Sequence, residues 1–147
     1  MSDDILEINL KEILGASILP SSQQLVLYIP NKDKEGNKIK QLSKWIKEAK
    51  RVLSIIGGGQ TAMPPADGTW LKKDISSIKE LKDEDIVWEK TIIMYTYIYP
   101  DKFEKNLNSL REFLHRFGRE TNQGEVVFEF DGEFFRIQKY IQNENKG

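Results

Sequence analysis

The segment from Val87 to Tyr99 constrains this chain more than any other stretch. It is rich in β-branched and aromatic residues, which suit a pleated, half-buried surface. Side chains alternate across a strand, so Ile92, Met94 and Ile98 point one way while Ile93, Tyr95, Tyr97 and Tyr99 point the other. A strand apolar on both faces is normally central and covered on both sides. The rest of the chain must therefore supply neighbours for this strand and a cover for each face.

The flanking sequence offers those neighbours. Gln24 to Pro30 is a short apolar run closed by a proline and reads as a strand. Asn31 to Lys38 is a charged loop. Ile39 to Ile56 reads as a helix, with Ile39, Leu42, Ile46, Ala49, Leu53 and Ile56 recurring at steps of three and four, widened by Trp45 and Val52. Gly57-Gly58-Gly59 stops it. Gln60 to Asp85 reads as irregular, because Pro64-Pro65 and Asp67-Gly68 interrupt regular structure; Trp70 pins that loop to the body, and Ile75 to Leu81 reads as a helical turn or a short strand. Pro100 ends the long strand, and Asp101 with Glu104 reads as a capping pair for a second helix. That helix carries Phe103, Leu107, Leu110, Leu114 and Phe117 on its core stripe and stops at Gly118. Val126 to Phe130 and Glu133 to Ile137 flank Asp131-Gly132, the signature of a hairpin with a type I′ turn. Residues 1–20 admit either a short helix lined by Ile5, Ile8, Ile13 and Leu14 or an edge strand, and 142–147 read as a frayed tail.

The chain has 147 residues, which suits one domain with a core spanning about 24–140 and residues 1–20 as an extension. The order of elements predicts an α+β protein of the ferredoxin-like α/β plait type (βαββαβ). Its sheet would be antiparallel, with two helices on one face and a C-terminal hairpin. Twenty-two basic against 23 acidic residues create no overall field for a polyanion. The lack of cysteine removes thiolate nucleophiles and thiolate metal sites. Met1-Ser2-Asp3-Asp4 has neither the basic start nor the apolar run of a signal peptide, and no apolar stretch reaches the roughly 20 residues that span a bilayer, so a cytoplasmic protein without a membrane partner is expected.

Two helices cover only one face of such a sheet. Either Ile93, Tyr95 and Tyr97 or Ile92, Met94 and Ile98 must then face away from them, joined by Tyr28 and by Val127 or Phe128. A large exposed apolar patch marks an interface or a binding site. Homodimerisation through this face is the simplest cover; the N-terminal segment, the Gln60 to Asp85 loop or a ligand are the alternatives.

Four constellations bear on chemistry. Gly57-Gly58-Gly59-Gln60-Thr61 is glycine-rich, but it follows a helix and lacks Gly-Lys-Ser/Thr, so it is not a P-loop. A helix stop with a close backbone approach is the plainer account, although Gly59, Gln60 and Thr61 remain candidates to line a pocket with Trp70. Arg119, Glu120, Asn122 and Gln123 form a dense polar run able to fix a small ligand, or simply to satisfy the helix end and its loop. His115, the single histidine, is either a surface residue or a general base beside Arg119 and Glu120. Tyr95, Tyr97 and Tyr99 resemble the base-stacking aromatics of RNA-recognition motifs, yet the basic-glycine-aromatic octapeptide of those domains is missing, so nucleic acid is not expected as a partner.

Gly59-Gln60-Thr61, Gly68-Thr69-Trp70, Glu89 and Gln123-Gly124-Glu125-Val126 together resemble the Gly-x-Thr, Gly-x-Trp, Glu, Gln-Glu-x-Val pattern of a family of small, uncharacterised bacterial proteins. The resemblance spans about residues 24–130. It departs in the glycine inserted at Gly124 and in the absence of a signal peptide. It implies a ferredoxin-like plait in which Thr61, Trp70, Glu89 and Gln123 meet around one site, and it brings no activity with it.

No motif here specifies a reaction. The leading expectation is a homodimeric domain that binds a small ligand or a protein, with no cofactor and no metal. A small hydrolase or transferase is the alternative, using Glu89, His115 or Glu120 as base and Arg119 to steady an anion. Nucleic-acid binding through the open sheet face is the second alternative.

Overall fold

A computed structural model of the chain describes residues 10–16 and 21–142. The expectations for Ile5 and Ile8 and for the tail beyond 142 lie outside these residues. Residues 10–14 are helical, and Ile13 and Leu14 are exposed there.

Six antiparallel strands form one open sheet: β1 (Gln24–Pro30), β2 (Thr61–Ala62), β3 (Ala66–Leu71), β4 (Ile86–Tyr97), β5 (Val126–Phe130) and β6 (Glu133–Ile137). Their order is β2-β4-β1-β5-β6, and β3 shares with β2 the outer side of β4. The long strand is thus interior. The helices are α1 (Leu42–Gly57), α2 (Pro100–Lys105) and α3 (Leu107–Glu120).

Register assigns the faces. Leu27 pairs with Met94 and Phe128, and Leu25 with Thr96 and Phe130. This side meets the helices: Leu25, Leu27, Ile29, Met94 and Val126 share one core cluster with Ala49, Leu53, Ile56, Leu110, Phe113, Leu114 and Phe117. Tyr28 pairs with Ile93, Val26 with Tyr95 and with Glu129, and Gln24 with Tyr97, so those side chains point to the other face. Of the two sets left open by alternation, Ile93, Tyr95 and Tyr97 turn away from the helices. Ile92, Met94 and Ile98 belong to the core side, which removes them as an interface.

Several local expectations are corrected. α1 begins at Leu42 rather than Ile39, because Gln41 takes a left-handed φ of 57° and Ile39 instead donates its N–H to Asn31. The second helix is broken at Asn106, whose side chain bonds the Lys102 carbonyl. It starts with Pro100 at its first turn, and no side chain caps it, so Asp101 and Glu104 form no capping box. Gly118 does not stop α3, which continues to Glu120. Residues 60–85 hold β2 and β3, and Trp70 lies on β3 rather than on a loop; of the two forms open to Ile75–Leu81, a helical turn is the one seen, at Ile78–Glu80, and Asp83–Asp85 forms another. The Gly57 stop and the hairpin turn are as read: Gly58 has φ 83°, and Asp131 and Gly132 have φ 54° and 84°.

Candidate functional site

The open face carries a cavity of about 290 Å³ at the end of β1 where Pro30 lies. Its walls follow from register. Gly68 pairs with Glu89 and Trp70 with Val87, which places Trp70 and Glu89 on the same face of adjacent strands. Val127 pairs with Arg136 and Glu129 with Phe134, which brings Arg136 and Phe134 onto that face from the hairpin. Tyr28 stands between, with its ring edge-to-face to Phe134 at 6.0 Å. The loop Gln123–Glu125 closes the rim: a Cβ on Gly124 would lie 3.5 Å from the Trp70 ring.

Glu89 is the chemical centre of this cavity. Its Oε1 accepts the Trp70 indole N–H at 3.1 Å, and its Oε2 accepts the Thr91 hydroxyl at 3.4 Å. Burial raises its pKa above the ordinary carboxylate value; the Trp70 and Thr91 hydrogen bonds and the charge of Lys32 oppose that shift without cancelling it. Among the described residues no lysine or arginine forms an ion pair with it. The one arginine lining the cavity, Arg136, is engaged already. Its Nε lies 3.6 Å from Glu125, and its guanidinium sits 4.9 Å from the Phe134 ring centroid. The Tyr28 hydroxyl donates to Glu129, and its pKa is pushed up to about 12 by burial and then by that carboxylate. The result is an aromatic-lined cavity holding an anchored carboxylate with no ion-pair partner among the described residues.

The residues singled out in the sequence divide into three places. Trp70, Glu89 and Gln123 all line this cavity. Gln123 is buried, and its side-chain amide donates to the carbonyls of Lys32 and Thr121, so its N–H donors are spent on tying its loop to the one after β1. Gly59, Gln60 and Thr61 lie elsewhere, beside Tyr95, Tyr97 and Tyr99 in a shallow hollow at the far end of β4. Thr61 pairs with Tyr95, six residues from Glu89, or ~20 Å along the strand. The four residues expected to meet therefore do not: Thr61 stands apart from Trp70, Glu89 and Gln123. The third group is His115, Arg119, Glu120 and Asn122. His115 Nδ1 accepts the Ile141 N–H at 3.0 Å, and Arg119 donates to the Ile141 carbonyl. Glu120 is exposed, 3.8 Å from Arg119, and Asn122 bonds Glu35 at the surface. His115 and Arg119 fasten a chain segment instead of facing a cleft, which removes the geometry that a hydrolase built on them requires.

Tyr28, Phe134 and Arg136 had no motif to announce them. Alternation along Gln24–Pro30 and along the hairpin assigns them a face, but their meeting depends on strand register.

No helix of the described residues is long and apolar enough to cross a membrane, and these residues contain no group of three or more His, Asp or Glu side chains placed to hold a metal. Compared with known protein families and with curated proteins, the chain matches none. Two solved structures share its fold. One is a phage SAM lyase in complex with S-methyl-5'-thioadenosine, with a TM-score of 0.53 and 11% identity, covering 87% of this chain and 98% of the other. The second is a phage SAM lyase in the apo state, with a TM-score of 0.51 and 8% identity, covering 86% and 100%.

Proposed function

We propose that this chain binds a small cationic nucleoside, of the S-adenosylmethionine class, in the cavity at the Glu89 end of the open face. The observation that carries the reading is Glu89 itself, a half-buried carboxylate with no ion-pair partner among the described residues inside an aromatic chamber. A sulfonium is attracted both by such a carboxylate and by aromatic faces, as other cations are. A purine suits the Trp70, Tyr28 and Phe134 rings by offset or edge stacking. The likeness in fold to a phage SAM lyase holding S-methyl-5'-thioadenosine supports the same ligand class. The chain path β1–α1–β3–β4–α3–β5, with order β3-β4-β1-β5, supports a ferredoxin-like plait extended by β2 and β6.

Calorimetric titration tests this. Saturable micromolar binding of S-adenosylmethionine, with S-methyl-5'-thioadenosine competing, is the expected result; no saturation by either at millimolar concentration overturns it. In a catalytic version the Glu89 carboxylate takes a proton from the carbon next to the one that joins the amino-acid chain to sulfur; the C–H pair becomes a carbon–carbon double bond, and the C–S pair leaves on sulfur as the neutral thioether. Release of S-methyl-5'-thioadenosine during the titration identifies that version.

We also infer a homodimer through the opposite end of the same face. Tyr97 is 48% exposed there, and it meets the half-buried Tyr95 edge-to-face at 6.4 Å. The open-face positions of β1 and β4 carry no lysine or arginine, which disfavours nucleic acid on this surface. In sedimentation at micromolar protein the wild type is expected to run as a dimer and Tyr97→Glu as a monomer. A monomeric wild type contradicts the inference.

A further inference from the structure

Residues 138–142 follow the hairpin, and Tyr140 and Ile141 among them pack back onto α3. The Tyr140 ring lies against Gly118: a Cβ at Gly118 would fall 2.1 Å from Tyr140 Cε1, so this helical glycine is a seat for the ring and not a helix stop. The Tyr140 hydroxyl donates to the Gln123 carbonyl at 2.9 Å. The next residue is gripped on both backbone groups, its N–H by His115 Nδ1 and its carbonyl by Arg119. His115 also meets the Tyr140 ring edge-on, with centroids 6.2 Å apart. On the far side of Gln123, Gly124 abuts Trp70 at the rim of the cavity.

We propose that Tyr140 is a positioning residue for the cavity, holding the Gln123–Gly124 rim through the Gln123 carbonyl, and that His115 and Arg119 lock Tyr140 in place. The proposal gives the cavity reading a mechanical support and rests on it for its functional meaning, since the rim matters to a ligand only where one binds.

The lock is pH-sensitive by its chemistry. Nδ1 of His115 accepts a proton-bearing N–H only while it is itself unprotonated. The charged and titratable groups facing His115 are Arg111 and Arg119 from its own helix and Tyr140 from the tail. Burial first, and then the two arginines, lower its pKa below the ordinary histidine value. With its folded pKa depressed by burial and the two arginines, the lock is fully held above the unfolded value and is lost as pH falls through the folded one.

Amide hydrogen exchange on the ligand-free, full-length chain tests the proposal, because the Gln123 N–H bonds the Gly118 carbonyl at 3.0 Å and reports the rim. Tyr140→Phe keeps the ring on its seat and deletes one hydroxyl. Its Gln123 amide is expected to exchange about fivefold faster, the equivalent of one neutral hydrogen bond, while the Leu27 amide in the sheet core keeps its wild-type rate. In the wild type, Gln123 exchange, corrected for the intrinsic rate, should accelerate as His115 protonates, and His115→Gln should abolish that step. Wild-type Gln123 exchange in Tyr140→Phe, equal acceleration of Leu27, or a pH step that survives His115→Gln overturns the proposal. A chain that shows these exchange effects but binds no nucleoside keeps the positioning role and loses only the ligand reading.

Discussion

Glu89→Gln is expected to bind S-adenosylmethionine at least about tenfold more weakly than the wild type, while its affinity for uncharged S-methyl-5'-thioadenosine changes less than about threefold. The substitution keeps the side-chain volume and an oxygen acceptor for the Trp70 indole, so the cavity keeps its shape. It removes only the negative charge. A hydrogen bond or contact to a charged group contributes ~1.5–3 kcal/mol, and each 1.4 kcal/mol is a factor of ten in affinity. Paired titrations of both ligands against both proteins read this directly; equal losses for the two ligands would assign Glu89 a purely structural role. The same variant carries a pH signature. The folded pKa of Glu89 is raised, so its contribution to stability is full below the ordinary carboxylate value and declines as pH rises through the folded value. Denaturant melts of the ligand-free wild type should therefore show a fall in stability across that window, and Glu89→Gln should flatten it.

Gly57→Ala is expected to cost about 2–4 kcal/mol of folding stability, measured by urea denaturation. In an open helical position the same change stabilises by up to ~1 kcal/mol, so even the sign is diagnostic. Here the new Cβ would sit 1.8 Å from Thr96 Oγ1 and 2.7 Å from the Tyr97 carbonyl. The Tyr97 oxygen is backbone in β4 and has no rotamer by which to yield. Overpacking of this kind costs ~1–3 kcal/mol, and displacing Thr96 also weakens its 2.6 Å bond to the Gly59 carbonyl, worth ~1 kcal/mol. A neutral or stabilising effect would mean that α1 does not sit this close to the strand.

The contrast between what was and was not legible follows from which interactions are local. β4 declared itself through composition, and α1 through apolar spacing and the glycines after it. The hairpin did so through two residues that accept positive φ. β3 did not, because Ala66-Asp67-Gly68 disfavours a strand and masks the strand-forming Thr69 and Trp70 behind it, and the segment is held extended by pairing along β4 from Ala66 to Leu71. The break at Asn106 was equally hidden: a side chain bonding back onto Lys102 competes with the helix in a way that an apolar stripe does not reveal.

The site shows the same division. Trp70, Glu89 and Gln123 were recognisable as unusual residues, and they line one cavity. Thr61 looked equally eligible and is displaced by six residues of register, because β2 pairs at Tyr95 and β3 at Glu89 on the same strand edge. His115 and Arg119 carried catalytic chemistry in prospect and serve as clasps for Ile141, since the path of the tail could not be traced from spacing. Sequence thus reports which residues are chemically capable, while register and chain return decide which of them share a space.

The most direct measurement is a crystal structure of the chain grown with S-methyl-5'-thioadenosine. The account predicts nucleoside density on the open face, with the base against Trp70 or Tyr28 and the thioether sulfur toward Glu89. Density seated in the hollow beside Tyr95 and Tyr97, or an empty chamber at saturating nucleoside, would contradict it.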